Sequence, residues 1–436
     1  MRTTPPDLSA SVLDDEPSTE LYAELERRRK SYLLTHDSRC LWPDVDLASV
    51  QTAADAIGRA VQSILGGSRG ELAAEGYSAD ALGIAALVTG VGPLLGHWSE
   101  GNLLVADDDI RSVLATHLRH GRARSHRIRA RIRTLASALA AQGVIPGVIK
   151  GFHTSRVYFP EPGTRPFSDV DLVVRHDEIE PTRNVLRAQG YVEREGRSRP
   201  YKRAWSVPGE DERIRSFSFW HERNGWTIEL YGDVRLEHLR GQGGRLHEYT
   251  VLDERWDSTD GVFMVPSQPQ LIALLAVHAS GELYASRLLR LVELVFVVRG
   301  DTERGTLEWD AVSAFLRKAN VQRFAYPAFQ LVEQLTPGTI DPAVLRECEN
   351  ASTVRTRSVL AGFTPTSPVL QAGTSLSERL MWSTGWLSTI RRGWAMVAPT
   401  RTVPARQMLG YYQSRLRRLL AGSVRWRAHD GDKDGA

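Results

Sequence analysis

The run Arg165-Pro166-Phe167-Ser168-Asp169-Val170-Asp171-Leu172-Val173-Val174 decides the fold of this chain. Its second half is apolar and rich in β-branched residues, which predicts a strand that begins at the aspartate pair. Side chains alternate faces along a strand, so Asp169 and Asp171 project to one side while Val170, Leu172 and Val174 point into a core.

Two carboxylates held side by side repel each other unless a cation or a proton lies between them. A hard divalent ion is the natural partner of such oxygen ligands, so the pair predicts a site for Mg²⁺, with Mn²⁺ as the alternative ion. A solvated pair of carboxylates at the start of a strand is the other interpretation of this D-x-D pattern.

The sequence on either side of this run predicts a small mixed β-sheet between helical flanks, an α/β fold. Strands are predicted at 144–149, 170–174 and 262–265, with a helix over 178–189 that Gly190 ends. Helical periodicity covers 20–142 and returns after Pro269. The predicted organisation is a disordered tail (1–18), an N-terminal helical region (19–143), a catalytic domain (144–267) and a C-terminal helical region (268–430).

A third carboxylate is predicted from the segment around Asn224-Gly225, a dipeptide that strongly favours a two-residue hairpin turn. It separates two β-rich runs, 214–222 and 226–232. In that hairpin Glu229 is a lone carboxylate on the polar face of an apolar strand. A carboxylate on a neighbouring strand is the third ligand that a two-metal phosphoryl-transfer site requires. Glu222 and Asp233 are the alternatives.

Composition and charge exclude several classes of protein. The 436 residues carry 55 Lys+Arg against 52 Asp+Glu, a net charge of +3, so the whole surface is not a nucleic-acid footprint. Cys40 and Cys348 form no C-x-x-C pair, which gives no support to a zinc ribbon or a disulfide framework. The chain shows neither an apolar leader nor a membrane-spanning run, so a soluble cytoplasmic protein without a membrane span is expected.

The aspartate pair, with Lys150-Gly151 upstream and the Ile228-Glu229-Leu230 motif downstream, resembles the polymerase-beta-type nucleotidyltransferase superfamily. It is most similar to the branch called uncharacterised nucleotidyltransferase, whose pattern is Lys-Gly, then Arg-x-x-Ser-Asp-h-Asp, then h-Glu-h. The motifs occupy about 144–232, and looser similarity extends over most of the chain. The resemblance implies a nucleotidyltransferase fold.

Roles follow from the resemblance position by position. Asp169 and Asp171 correspond to the metal-binding pair, and Glu229 to the third metal-binding and catalytic carboxylate. Lys150-Gly151 stands where the superfamily more often has Gly-Ser or Gly-Gly, so Gly151 would admit a triphosphate and Lys150 would add a positive charge beside it. Arg165 is predicted as a second phosphate contact because its planar group can engage two oxygens. Ser168 is predicted to orient Asp169.

The implied activity is Mg²⁺-dependent transfer of a nucleoside monophosphate from a nucleoside triphosphate, with release of pyrophosphate. ATP is the assumed donor, the role is biosynthetic, and the oligomeric state is left open. The balanced charge favours a small-molecule or peptide natural product as acceptor.

Two rival functions follow from other features of the chain. One is an RNA-modifying or toxin-type transferase, in which the arginines of 122–133 and of the Trp- and Arg-rich tail beyond 380 would bind phosphates; a solvated helix face is the simpler interpretation of these arginines. The other is a nucleotide-binding module without turnover. Arg290 and Glu293 are predicted to pair on one helix face.

Overall fold

A computed structural model describes most of the chain between residues 18 and 390. The described residues are 18–35, 37–73, 76–194, 202–210, 213–232, 254–258, 261–281, 283, 288–366, 380–383, 386–387 and 389–390. Residues 1–17 of the predicted tail, the candidate Asp233 and the arginines beyond 390 lie outside them. The predicted domain boundaries stay a prediction.

Helices form both flanks of the chain. The N-terminal flank contains α1 (Thr19–Thr35), α2 (Leu47–Leu65), α3 (Ala79–Thr89), α4 (Gly92–Glu100) and α5 (Asp108–Ala140). The centre contains α6 (Gly151–Val157) and α7 (Ile179–Ala188). The C-terminal flank contains α8 (Gln268–Gly281), α9 (Leu288–Arg304), α10 (Trp309–Lys318), α11 (Gln322–Leu335), α12 (Pro342–Ala351) and α13 (Val354–Leu360).

The strands form a small parallel pair and one larger mixed sheet. The pair is β1 (Gly70–Leu72) and β2 (Leu104–Ala106), which the sequence did not predict. The larger sheet contains β3 (Gly147–Ile149), β4 (Asp169–Val173), β5 (Val192–Glu193), β6 (Lys202–Ser206), β7 (Thr227–Tyr231), β8 (Glu254–Ser258) and β9 (Gly261–Val265). Its order is β5-β6-β7-β4-β3-β9-β8. The predicted α/β nucleotidyltransferase fold, a small mixed sheet between helical flanks, is confirmed.

One face of the larger sheet is a hydrophobic core. Val170 and Leu172 of β4 and Ile228 and Leu230 of β7 are at most 1% exposed and belong to this core. The second half of α5 covers them, because Ile128, Ile132, Leu135 and Leu139 repeat at helical spacing and are all buried. The buried residues of α5 and those of β4 and β7 therefore pack together in one layer. The opposite face of β4 and β7 carries the carboxylates.

The two helical flanks share a second core. Buried residues of α2, α3 and α4 belong to the same cluster as those of α8, α9 and α11. Three residues of the carboxylate-bearing face, Ile149, Val173 and Tyr231, also belong to it. The sheet thus lies between α5 on one side and this joint helical core on the other.

The hairpin predicted at Asn224-Gly225 is wrong. Residues 214–222 form no strand, and the antiparallel partner of β7 is β6, in which Ala204 lies opposite Glu229. The Asn224 side chain accepts a hydrogen bond from the backbone N–H of Arg215 and stabilises an irregular loop rather than a strand ladder.

Arginines of α5 hold this loop in place. Arg124 is 2% exposed and donates to the carbonyl groups of Asn224 and Gly225, and burial lowers its pKa to about 10. Arg127 donates to the carbonyl of Glu222 at 2.6 Å and pairs with Glu210 at 2.8 Å. The interpretation of 122–133 as a uniformly solvated face is therefore wrong for these two positions.

In the described part of the chain, no single helix is long and apolar enough to cross a bilayer. The pair α3 and α4 passes a test of length and composition when counted together, but the two helices are bent by 115° to each other.

Replacing Arg124 with alanine should destabilise the protein by about 2–4 kcal/mol, because the loop carbonyl groups lose a buried charged donor. Urea unfolding followed by circular dichroism measures this change. Arg131→Ala is the matched control, since Arg131 is exposed on the same helix and should change the free energy of unfolding by less than about 0.5 kcal/mol. Equal effects of the two substitutions would contradict the anchoring role of Arg124.

Candidate active site

The parallel pairing of β4 with β7 brings the predicted carboxylates onto one face. In its register Asp171 lies opposite Glu229 and Asp169 lies opposite Thr227. Residues paired in this way point to the same side of a sheet, and Asp169 and Asp171 share that side because they are two apart. Both strands begin with a polar residue, and their core residues lie on the opposite face, against α5. The carboxylates therefore point away from the α5 core.

Two lysines lie against these carboxylates. Lys150 Nζ is 3.4 Å from Asp171 Oδ1, and Lys202 Nζ is 2.6 Å from Glu229 Oε1. The Tyr231 hydroxyl donates to Glu229 Oε2 at 2.8 Å, and the Tyr231 ring lies 5.8 and 5.9 Å from the two ammonium groups. Burial, followed by the charges of Asp171 and Glu229, raises the pKa of Tyr231 above its usual range, so it stays a hydrogen-bond donor.

The buried, crowded surroundings of Asp169 shift its pKa. Desolvation, then the negative charges of Asp171 and Glu229, raises its pKa from 3.8 to about 6, although Lys150 and Lys202 oppose the shift. Burial and the neighbouring carboxylates together thus favour the protonated form of Asp169 more strongly than the two lysines oppose it.

Lys150 reaches Asp171 through an unusual backbone conformation. It follows β3 directly and has φ +54° and ψ −134°, a region that residues other than glycine rarely adopt. Strain of this kind persists only where the surrounding structure enforces it. Here the antiparallel register places Ile149 opposite Asp171, so the turn that follows returns the lysine to the aspartate of the neighbouring strand.

A buried ion pair with Glu293 holds Arg165 against Gly151. Arg165 Nε and Nη2 donate to the Glu293 carboxylate of α9 at 2.9 and 2.7 Å, and the Thr154 hydroxyl donates to the same carboxylate. A Cβ atom at Gly151 would lie 2.4 Å from Arg165 Nη1. Glycine is thus needed here so that the guanidinium can lie across the turn.

The contacts of Arg165 and Glu293 differ from those that the sequence predicted for them. Glu293 is engaged by Arg165, not in the helix-face pair with Arg290 that the i, i+3 spacing predicted. The phosphate contact predicted for Arg165 stays a prediction, and two of its donors are already taken by a carboxylate that is 2% exposed.

The remaining predicted residues lie at different distances from the carboxylates. Ser168 precedes β4 directly; its side chain is exposed, and its carbonyl accepts a hydrogen bond from Thr227 N at 3.2 Å. Glu222, the alternative third carboxylate, lies in the loop, with its carboxylate 3.6 Å from His120 Nδ1 of α5. Of the alternatives that the structure describes, Glu229 is therefore the carboxylate beside Asp171.

A metal ion would need a closer grouping of ligands than these side chains form. Among the described residues, no group of three or more His, Cys, Asp or Glu side chains is close enough together to hold a metal ion. The residue types do fit a hard cation, because carboxylate oxygens are the ligands that such ions prefer. An ion bound there would compete with Lys150 for Asp171 and with Lys202 for Glu229.

Lys202 and Tyr231 are the site residues that the sequence analysis missed. Lys202 pairs with Tyr231 across β6 and β7, so both point to the carboxylate face. The alternation in Lys-Arg-Ala-Trp-Ser, with Trp205 fully buried, was the available signal. The predicted hairpin concealed it by assigning β7 a different partner.

Replacing Asp169 with asparagine should stabilise the metal-free protein by ~1–3 kcal/mol at pH 7.5. The folded-state pKa of Asp169, about 6, exceeds its ordinary value of 3.8, so the folded state binds this proton more tightly. The contribution of Asp169 to stability therefore falls as pH rises from about 4 to about 6. Thermal unfolding in EDTA across this range measures the slope, which Asp169→Asn should reduce.

Asp177→Asn is the control, because Asp177 is exposed just after β4 and its replacement should leave the slope unchanged. A lower melting temperature for Asp169→Asn than for the parent at pH 7.5 would show that repulsion does not dominate at this site.

Comparison with known proteins agrees with this architecture. A family model described as uncharacterised nucleotidyltransferase matches residues 79–337, more than half of the chain. No curated protein matches the chain. The matched segment runs from α3 to the end of α11 and contains the whole of the larger sheet. The chain belongs to this nucleotidyltransferase family, which supports nucleotidyl transfer as its general activity.

Proposed function

We propose that this member of the uncharacterised nucleotidyltransferase family moves a nucleoside monophosphate from a nucleoside triphosphate to a small-molecule or peptide natural product. One observation carries the proposal: the β4–β7 register that sets Asp171 beside Glu229, with Asp169 on the same face. A set of carboxylates on one face of two adjacent strands is suited to a metal–triphosphate complex and poorly explained by stability alone.

Asp169, Asp171 and Glu229 would hold the metal ion, Mg²⁺ or Mn²⁺, after their side chains turn toward it, because as they stand they are not grouped closely enough to coordinate one. When bound, the ion would neutralise charge on the triphosphate and favour ionisation of the acceptor hydroxyl. Lys150 would exchange its contact with Asp171 for a phosphate oxygen, since an ammonium group serves either anion. Lys202 and Tyr231 would keep Glu229 oriented, because both bind its carboxylate oxygens.

The transfer is an in-line displacement at the α-phosphorus. The acceptor oxygen forms a bond to phosphorus, the bond from phosphorus to the β-phosphate oxygen breaks, and pyrophosphate leaves with the electron pair. Glu229 takes the proton of the acceptor hydroxyl. Positioning and charge neutralisation supply most of the acceleration in reactions of this kind.

The RNA-modifying alternative has less support than the sequence implied. Arg124 and Arg127 spend their donors on carbonyl groups and on Glu210, and Arg122 pairs with Glu100 and Glu161 at 2.7 and 2.8 Å. These three arginines of the predicted RNA-binding segment thus serve the fold. Steeply salt-dependent RNA binding by the intact chain would restore the alternative.

A nucleotide-binding module without turnover is favoured by one observation, the ion pairs that Lys150 and Lys202 already make with the carboxylates. Metal-dependent binding of a triphosphate without release of pyrophosphate, across a panel of acceptors, would identify such a module.

Asp171→Asn should reduce transfer by about 100-fold or more, because the site loses a charge that the transition state requires. Mass spectrometry measures the nucleotidyl mass gain and pyrophosphate release with each triphosphate, Mg²⁺ and a panel of acceptors. Asp177→Asn should transfer at the parent rate, and circular dichroism should show both variants folded. Unchanged turnover in Asp171→Asn would overturn the assignment of the aspartate pair.

Glu229→Gln should lose transfer to a similar extent, whereas Glu222→Gln should stay within about twofold of the parent, because only Glu229 lies beside Asp171. The same assay compares the two variants. An active Glu229→Gln together with an inactive Glu222→Gln would show that the third carboxylate is Glu222.

A further inference from the structure

A cavity of about 410 Å³ opens at the end of the strands that carry the carboxylates. Ser168 and Thr227 line it, and these residues precede Asp169 in sequence and face it in register. Ser206, the last residue of β6, lines it as well. The volume lies in the range of sites for small molecules, about 300–1,000 Å³.

Aromatic side chains from three segments form much of the cavity wall. They are Trp42, Phe217, Phe219, Trp220 and Trp226. Trp42 is fixed by a hydrogen bond from its Nε1 to the carbonyl of Phe217 at 2.8 Å, and the Arg124 guanidinium lies 5.7 Å from the Trp220 ring. The aromatic wall is thus pre-positioned, and flat rings bind such walls by offset or edge-to-face contact.

The charged groups on the wall are engaged within the protein. Arg29 pairs with Glu26 at 3.1 Å, Glu210 pairs with Arg127 at 2.8 Å, and Arg213 lies 4.6 Å from the Tyr22 ring. Arg194, the remaining charged residue among those that line the cavity, also has an interaction partner. Recognition in this cavity therefore depends on flat apolar surface more than on charge.

The position of the cavity in the sheet indicates which substrate uses it. Lys150-Gly151 lies on the β3 side of the carboxylates, whereas the cavity lies on the β7 and β6 side. In-line displacement requires the attacking oxygen and the leaving pyrophosphate on opposite sides of the phosphorus. With the phosphates beside Lys150, the cavity side is the side of the acceptor.

We propose that this cavity binds an aromatic ring of the acceptor and presents a hydroxyl group on that ring to the α-phosphorus. The inference rests on the proposed function. The oxygen of the ring hydroxyl bonds to phosphorus, its proton passes to Glu229, and pyrophosphate leaves.

The test uses two hydroxyl-bearing probes, N-acetyl-tyrosinamide and N-acetyl-serinamide, with the full chain, Mg²⁺ and each triphosphate. The tyrosine probe should gain a nucleotidyl mass at least about 10-fold faster, because the serine probe has no ring to contact the wall. Transfer to both probes at equal rates would overturn the proposal.

Substitutions in the aromatic wall test whether the ring that binds there belongs to the acceptor or is the nucleobase of the triphosphate. Trp220→Leu should raise the KM for the tyrosine probe about 5–10-fold and leave the KM for the triphosphate unchanged, whereas Trp220→Phe should stay within about twofold of the parent. Phe217→Leu is a second variant in case Trp220→Leu folds poorly. Trp309→Leu, in a half-buried tryptophan of α10 outside the cavity wall, is the matched control. A change confined to the KM of the triphosphate would show that the wall binds the nucleobase, and would overturn the assignment.

Binding of N-acetyl-tyrosinamide, followed by ligand-observed NMR without triphosphate, separates the two hypotheses. Binding that Trp220→Leu weakens, in a chain that transfers no nucleotide, would support the aromatic site while the proposed function fails. Transfer to other acceptors with no binding of this probe would overturn the aromatic site and leave the proposed function standing.

Discussion

Repulsion among three carboxylates on one face of the sheet is the constraint on which the rest of the site depends. The apolar residues of β4 and β7 pack in the α5 core. Because side chains alternate along a strand, the three carboxylates must share the other face. Lys150 and Lys202 pair with two of the carboxylates. Burial, together with the charges of Asp171 and Glu229, still raises the pKa of Asp169. A group of this kind costs stability, which is typical of a site kept for chemistry.

The two helical flanks act as one support for this face. Their buried residues form a joint core that also includes Ile149 and Tyr231 of the sheet. The ion pair of Arg165 with Glu293 connects the segment before β4 to α9, at side-chain exposures of 10% and 2%, and the guanidinium lies against Gly151 of the turn after β3. A buried pair of this kind is weak evidence of added stability but holds both partners in one arrangement. The C-terminal helices thus help to define the position of Gly151 and the lysine before it.

Composition alone cannot distinguish the arginines that support the fold from those on the surface. On α5 the basic residues read as a surface stripe, yet Arg124 and Arg127 replace the hydrogen bonds that a hairpin ladder would have supplied to the loop after β6. That loop in turn forms much of an aromatic cavity beside the carboxylates. The near-zero net charge therefore includes cations that are structural.

The sequence by itself determined the sheet face, because the spacing of Asp169 and Asp171 and the apolar neighbours of Glu229 obey a period of two that needs no distant partner. It also determined the helical flanks and the core stripe of α5. Only the tertiary structure decided that β7 pairs with β6 and that Lys202 and Tyr231 join the site. A local turn signal at Asn224-Gly225 favoured another partner, and contacts from α5 outweighed it. Strand pairing is a competition among distant segments, and the winner depends on packing and hydrogen bonds that exist only in the folded chain.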